Sequence, residues 1–310
     1  MRHEYRLFFE MGATGASKQV GALLSEFGLQ WKPGVPGTIV VDSDRAARRL
    51  LAAAERRGVK ALLEIITRYE RKDALAGELG FVELGPANTT HFKATLPKDA
   101  FDLTAACPRC GMGGRLAKPH MLRKDSLRSK ANFAYGHEGT FLILMRSEIG
   151  KEIVDATGQP ECMRHPVLRS GEVVKEWMEA VPTAILPPLS RKSTGVMRNG
   201  TLALRNIGDG PTLVPPCPSC KRTVWAESHD EPCRLVYSRE AIRSVRGHAV
   251  VLMHEVSNMS PMFDPRKREF SSLYGYPWPL FSRAAIEVLL KYMQTKHIRD
   301  SAWIRPVFSE

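Results

Sequence analysis

The first hundred residues alternate between two hydrophobic periods. YRLFFEM (5–11) is an apolar run with two aromatics, ended by the small-residue stretch GATGAS. In SKQVGALLSEFG (17–28), Val20, Leu23, Leu24 and Phe27 recur at helical spacing, and Gly28 is placed to end the helix. GTIVVDS (37–43) is short and β-branched, hence a strand. Asp42, Ser43 or Asp44 is suited to cap the Ala- and Arg-rich helix that follows and stops at Gly58. VKALLEIITRY (59–69) predicts a third strand, and ERKDALAGELG a short helix before FVELG. Residues 1–100 are thus expected to form a small α/β layer.

Two later segments share one pattern. TFLILM (140–145) reads as a buried strand, and RSEIGKEIVDATG (146–158) as a helix with Ile149, Ile153 and Val154 on one face. YPWPLF (276–281) leads in the same way into SRAAIEVLLKYMQTK, where Ile286, Leu289, Leu290 and Met293 keep helical spacing. Arg146-x-x-Ile149-x-x-x-Ile153 aligns with Arg283-x-x-Ile286-x-x-x-Leu290, and RHPV (164–167) with IRPV (304–307). A Cys-Pro-x-Cys turn precedes each copy, CPRC at 107–110 and CPSC at 217–220. The pattern predicts an internal repeat. The expected fold is α+β: the layer at 1–100, a first CxxC repeat at 101–182, a Pro-, Gly- and Ser-rich connection with a short hairpin at 183–216, and a second repeat at 217–310.

The cysteines add chemistry to this picture. There are six in 310 residues, too sparse for a disulfide scaffold, and four stand in CxxC pairs. A CxxC turn presents two sulfurs on one knuckle, and the proline after the first cysteine fixes φ and tightens it. Zn²⁺ prefers four ligands in tetrahedral array, so two such turns could supply Cys107, Cys110, Cys217 and Cys220 to one structural ion. The competing arrangement is a local site, Cys217-x2-Cys220-x8-His229-x3-Cys233, which would leave the first pair with His120 downstream and a ligand short. A redox CxxC opens a helix, and GMGGRLAKP after Cys110 does not suit one. Isolated Cys162 is expected to be a small buried residue.

No catalytic constellation stands out. His137-Glu138 and His254-Glu255 lack the x-x-His that would put two ligands on one helix face. PPCPSC lacks the upstream H-x-E of the nucleobase deaminases, no G-x-S-x-G elbow occurs, and ATGAS is not a phosphate loop. Tyr274, Tyr276, Trp278 and Phe281 follow the basic DPRKREF and have the composition of a stacking platform, but the expected reading is a proline-rich loop tucking its aromatics under the repeat helix.

Charge narrows the partners without choosing one. The chain carries a net charge of +12 and its basic residues gather in short clusters, ERRGVK (55–60), RKDSLRSK (123–130) and DPRKREF (264–270). Such a balance suits an acidic protein, nucleic acid or an anionic membrane surface, or serves solubility alone. No run approaches the 18 or so apolar residues of a membrane span, and the N-terminus lacks a secretory h-region, so a cytoplasmic protein without membrane association is expected.

With CPRCG, CPSC and the two helix-to-RPV segments in hand, the C-terminal two-thirds resembles the double-CXXCG motif proteins of bacteria. RYERKDALAGELGFVEL is similar to a lead-in found in some of them, and residues 1–60 lie outside the resemblance. The second motif departs from the pattern, with Lys221 where the family has Gly. Some members are immunity proteins that neutralise a cognate toxin. The resemblance implies a toxin-neutralising or related binding role; with the closed four-thiolate site, the expectation is a non-enzymatic, zinc-stabilised binding protein with a protein partner, while the basic surface keeps nucleic-acid binding as the alternative.

Overall fold

The computed structural model describes residues 2–9, 16–29, 38–41, 43–69, 71–83, 90–92, 94–95, 97, 100–109, 113–124, 131–136, 143–198, 200–201, 212–213, 217–221, 224–227, 231–257, 262–264, 269–272, 278–293 and 303–310.

The first three strands and two helices form their own core. Strand Arg2–Phe9 lies between Thr38–Val41 and Ala61–Arg68 and is antiparallel to both. Helices α1 (Ala16–Glu26) and α2 (Asp44–Arg56) bury Val20, Leu23, Leu24 and Leu50 against Leu7, Phe9, Ile39 and Leu63 of the sheet. Of the three candidate caps, Ser43 serves α2: its hydroxyl accepts the N–H of Ala46 at 3.2 Å. Asp44 in the first turn and Arg56 in the last complement the helix dipole. Gly58 ends the helix with a φ of +65°, open to glycine at little cost.

After the one-turn helix α3 (Arg71–Ala74), the chain leaves this unit. Strand Leu79–Glu83 lies inside a six-stranded mixed sheet ordered Ala184–Ile185, Val250–Leu252, Pro279–Ser282, Leu79–Glu83, Trp303–Ser309, Leu235–Tyr237. A boundary at residue 100 therefore cuts through a core rather than between two. The reason is alternation: Leu79 and Phe81 face one side and Val82 the other, all buried, so the strand needs cover on both faces. The segment 183–216 likewise begins inside the fold, since Ala184–Ile185 pairs with Val250–Leu252 and Leu186 and Leu189 are buried beside it. Farther along, Gly200–Thr201 pairs with Thr212–Leu213.

A second sheet of five strands is ordered Met163–Arg164, Trp177–Ala180, Ile143–Arg146, Phe133–Gly136, Thr90–Phe92. Helix α4 (Ser147–Thr157) packs on it, and Gly158 ends that helix in the left-handed conformation. Helix α5 (Arg239–Ser244) covers the Leu79/Phe81 face of the six-stranded sheet, and α6 (Arg283–Tyr292) the Val82/Phe281 face. Helices α4 and α6 pack on each other, so Ile149 and Ile153 meet Ile286, Leu289 and Met293 in one core that joins both sheets. Trp278 stacks on Phe81 at 4.0 Å between centroids with 14° between the planes. Trp278 and Phe281 are thus packing residues, and Tyr274 and Tyr276 lie outside the described residues.

The fold is mixed α+β, with several sheets and few helices. The two aligned segments take equivalent places in it. In each, a strand runs straight into its helix and a later strand returns two places away, with an antiparallel strand between. The intervening strand differs: Trp177–Ala180 follows the first unit in sequence, whereas Leu79–Glu83 precedes the second by some two hundred residues. A further joint is shared by α5 and α6. Ser238-Arg239-x-Ala241-Ile242 and Ser282-Arg283-x-Ala285-Ile286 each place a serine hydroxyl on the alanine N–H three residues on. Among the described residues no helix is long and apolar enough to cross a membrane.

Candidate metal centre

The first cysteine turn sits at the tip of a small antiparallel pair, Phe101–Asp102 with Arg115–Leu116. Asp102 starts the turn by accepting the N–H of Thr104 at 2.9 Å and its hydroxyl at 2.6 Å. Those bonds from Thr104 hold the Asp102 carboxyl below its ordinary value. The N–H of Ala106 then bonds the carbonyl of Leu103, which tucks Cys107 into a buried position.

The second turn is closed locally. Lys221 donates its N–H to the carbonyl of Cys217 at 2.8 Å, which folds Cys217-Pro-Ser-Cys220 into one knuckle. This closure places Lys221 at a φ of +59°, the one non-glycine residue with positive φ among those described. Cys217 is buried and Cys220 half-buried.

The two turns meet. The sulfurs of Cys107, Cys217 and Cys220 lie within 4.8 Å of one another, and those of Cys107 and Cys217 are 3.8 Å apart. A tetrahedral ion bound to sulfur at about 2.3 Å has ligand edges of about 3.8 Å, whereas a disulfide needs about 2.05 Å. Three soft donors from chain segments more than a hundred residues apart thus lie close enough to share one metal ion. Cys110 lies outside the described residues.

The local arrangement fares differently. Cys233 is buried with Leu79, Leu235 and Tyr237, its carbonyl takes the hydroxyl of Tyr69 at 3.1 Å, and its sulfur is not part of the thiol group. His229 lies outside the described residues. Cys162 is fully buried, and desolvation pushes its thiol up to about 11, as a small core residue requires.

His120 is not a member of the thiol group but anchors the segment that follows it. Its Nδ1 is 2.9 Å from Glu179 Oε2, and its backbone N–H donates to the same oxygen at 3.2 Å. Arg164 completes the cluster: Nε donates to Glu179 Oε1, and its terminal nitrogens donate to the carbonyls of Leu116, Ala117 and Lys118. Burial pushes the Glu179 carboxyl up. The hydrogen bond and charge of His120, with those of Arg164, outweigh burial and leave it below the ordinary value, hence ionised. One buried anion on the five-stranded sheet thereby fixes the strand that leaves the first cysteine turn. The sequence named His120 and the Arg164 of RHPV, but nothing in the spacing linked them to Glu179.

Other candidates resolve as architecture. Glu255 of the second HE pair is buried and accepts the N–H of Leu189 at 2.7 Å, and His137 lies outside the described residues. Trp177 is fully buried under the guanidinium of Arg146, 4.5 Å from its ring centre. Among the basic clusters, Arg57 pairs with Glu26 at 2.5 Å, while residues 125–130 and 265–268 lie outside the described set.

No family model, curated protein or solved structure matches this chain.

Proposed function

We propose that the chain is a non-enzymatic binding protein in which one structural zinc ion, held by Cys107, Cys110, Cys217 and Cys220, clasps two halves that present a basic surface to an acidic protein partner. The observation that carries the zinc reading is the 3.8 Å separation of the Cys107 and Cys217 sulfurs. Four thiolates close the coordination sphere, so the ion would contribute folding free energy and leave no position for substrate. Thiolate ligation requires reduced cysteines, which suits a cytoplasmic protein.

The partner is argued from charge. A net charge of +12 favours encounter with an acidic surface and speeds association more than it deepens affinity. The resemblance to the double-CXXCG proteins makes a toxin neutralised by stoichiometric binding the partner of choice. Affinity purification from nuclease-treated extract, with companions identified by mass spectrometry, tests the reading. One stoichiometric protein that survives nuclease and moderate salt is the expected result. A preparation whose only companion is nucleic acid would sink the protein-partner reading in favour of phosphate-backbone binding.

A further inference from the structure

Strands Met121–Leu122 and Val167–Leu168 are parallel neighbours, with Leu122 opposite Leu168. Both chains leave the sheet at the same edge and in the same direction. The residues that follow them therefore stand side by side: Arg123 and Lys124 from one, Arg169 and Ser170 from the other. A tight turn shapes the second segment. Gly171 donates its N–H to the carbonyl of Leu168 at 2.8 Å and takes a φ of +89°, and Leu168 donates to the carbonyl of Glu172 at 2.7 Å. Between the two segments lies a cleft of about 580 Å³, with Leu122 and Leu168 as its apolar lining and the two arginines, the lysine and the serine as its polar one.

The composition of this cleft selects its ligand. Three cations and a hydroxyl line one concavity, and among the described residues no carboxylate lines it. Guanidinium forks match the tetrahedral oxygens of a phosphoryl group, a lysine adds a point charge, and a serine hydroxyl donates to the remaining oxygen. Leu122 is fully buried beneath the cleft and Leu168 half-buried, so the polar groups make its accessible wall.

We propose that this cleft is a phosphoryl-binding site, formed by Arg123, Lys124, Arg169 and Ser170, that takes the phosphate of a nucleotide, free or within a nucleic-acid strand. It is separate from the thiol centre and does not depend on the protein-partner reading. The test uses the full zinc-loaded chain in calorimetric titrations with inorganic phosphate, uridine monophosphate and a ten-residue oligothymidine. Saturable binding of the mononucleotide at one site per chain would assign the free nucleotide as the source. Binding of the oligonucleotide alone, weakening steeply with salt, would assign the nucleic-acid backbone. In either case the double variant Lys124→Ala/Arg169→Ala should weaken binding by about tenfold or more, since each loses a charge-assisted hydrogen bond. Arg45→Ala, on α2 in the separate N-terminal core, should bind as the unaltered chain does. Lys124 and Arg169 are exposed, so the double variant is expected to fold, and circular dichroism checks that it has. Failure of all three probes to bind, or double-variant binding equal to that of the parent, would overturn the proposal.

Discussion

At the scale of single residues, two positions show where chemistry and backbone demand more than pattern. Lys221 occupies the position that follows the second cysteine of its knuckle, at a φ of +59°. An L side chain there costs about 1–2 kcal/mol, part of which a glycine would return as extra disorder of the unfolded chain. Lys221→Gly is therefore expected to raise stability by roughly 0.5–1 kcal/mol in thermal melts, with the metal content of the protein unchanged. A lower melting temperature would mean that the lysine side chain makes a compensating contact. Lys221 thus takes up the left-handed turn that a glycine would make more easily.

Glu179 is the other such residue. Its folded value lies below its ordinary 4.5, because His120 and Arg164 outweigh the cost of burial. A lowered carboxyl contributes stability that is fully present above the ordinary value and is lost as pH falls through the folded one. Glu179→Gln should destabilise the protein at pH 7 by about 3 kcal/mol or more, since it leaves buried donors facing a neutral amide. The gap between variant and parent should shrink as urea midpoints are taken from pH 7 down to below pH 4. A gap that stays constant over that range would show that Glu179 acts through shape rather than charge.

At the scale of elements, packing decides what propensity does not. Gly150 lies within α4, where glycine costs a helix about 1 kcal/mol relative to alanine. The sheet explains it: an added Cβ would stand 2.7 Å from the sulfur of Met178 and 3.0 Å from its Cβ. Gly150→Ala is expected to lower stability by about 1–2 kcal/mol in chemical denaturation despite its better propensity, because the helix must lift from the strand. A stabilised variant would show that Met178 can turn aside. The longer helices and the strands that lead into them were legible in advance. Helices α1, α4 and α6 declare themselves through apolar residues three and four apart, α2 through its Ala- and Arg-rich run, and the stops of α1 and α2 through Gly28 and Gly58. The short strands around residues 94–122 and 224–272 carry too few residues to show a period, so the sequence could not announce them.

At the scale of the whole molecule, the thiol centre brings together sulfurs from chain segments more than a hundred residues apart. If zinc completes it, the protein should purify with about one ion per chain, and Cys107→Ser and Cys217→Ser should each release it. Chelation should lower the melting temperature of the parent and leave the Cys107→Ser variant unmoved. Retention of the metal by Cys107→Ser, measured by elemental analysis, would return the site to the second turn alone. The two knuckles were visible in the spacing of the cysteines, and their meeting was one of the two arrangements that spacing offered, since a Cys-Pro-x-Cys knuckle is a local event. Which knuckle faces which is a matter of loop closure over a hundred residues, and spacing carries no term for it.

What the sequence determined by itself follows from short-range physics: the helical and extended periods, the capping residues, the two sulfur knuckles and the excess of positive charge. Each depends on neighbours within a turn or two of the chain. The tertiary structure decided the rest. It took Leu79–Glu83 out of the N-terminal layer and set it between Pro279–Ser282 and Trp303–Ser309, because a strand apolar on both faces is stable only where both are covered. It brought Glu179 to His120 and Arg164, because a buried anion is held only where donors converge on it from several strands. It set Arg123 beside Arg169 through the register of two parallel strands, and Cys107 beside Cys217 through the meeting of two loops. These pairings join residues distant in sequence, and only the closing of the chain on itself can make them.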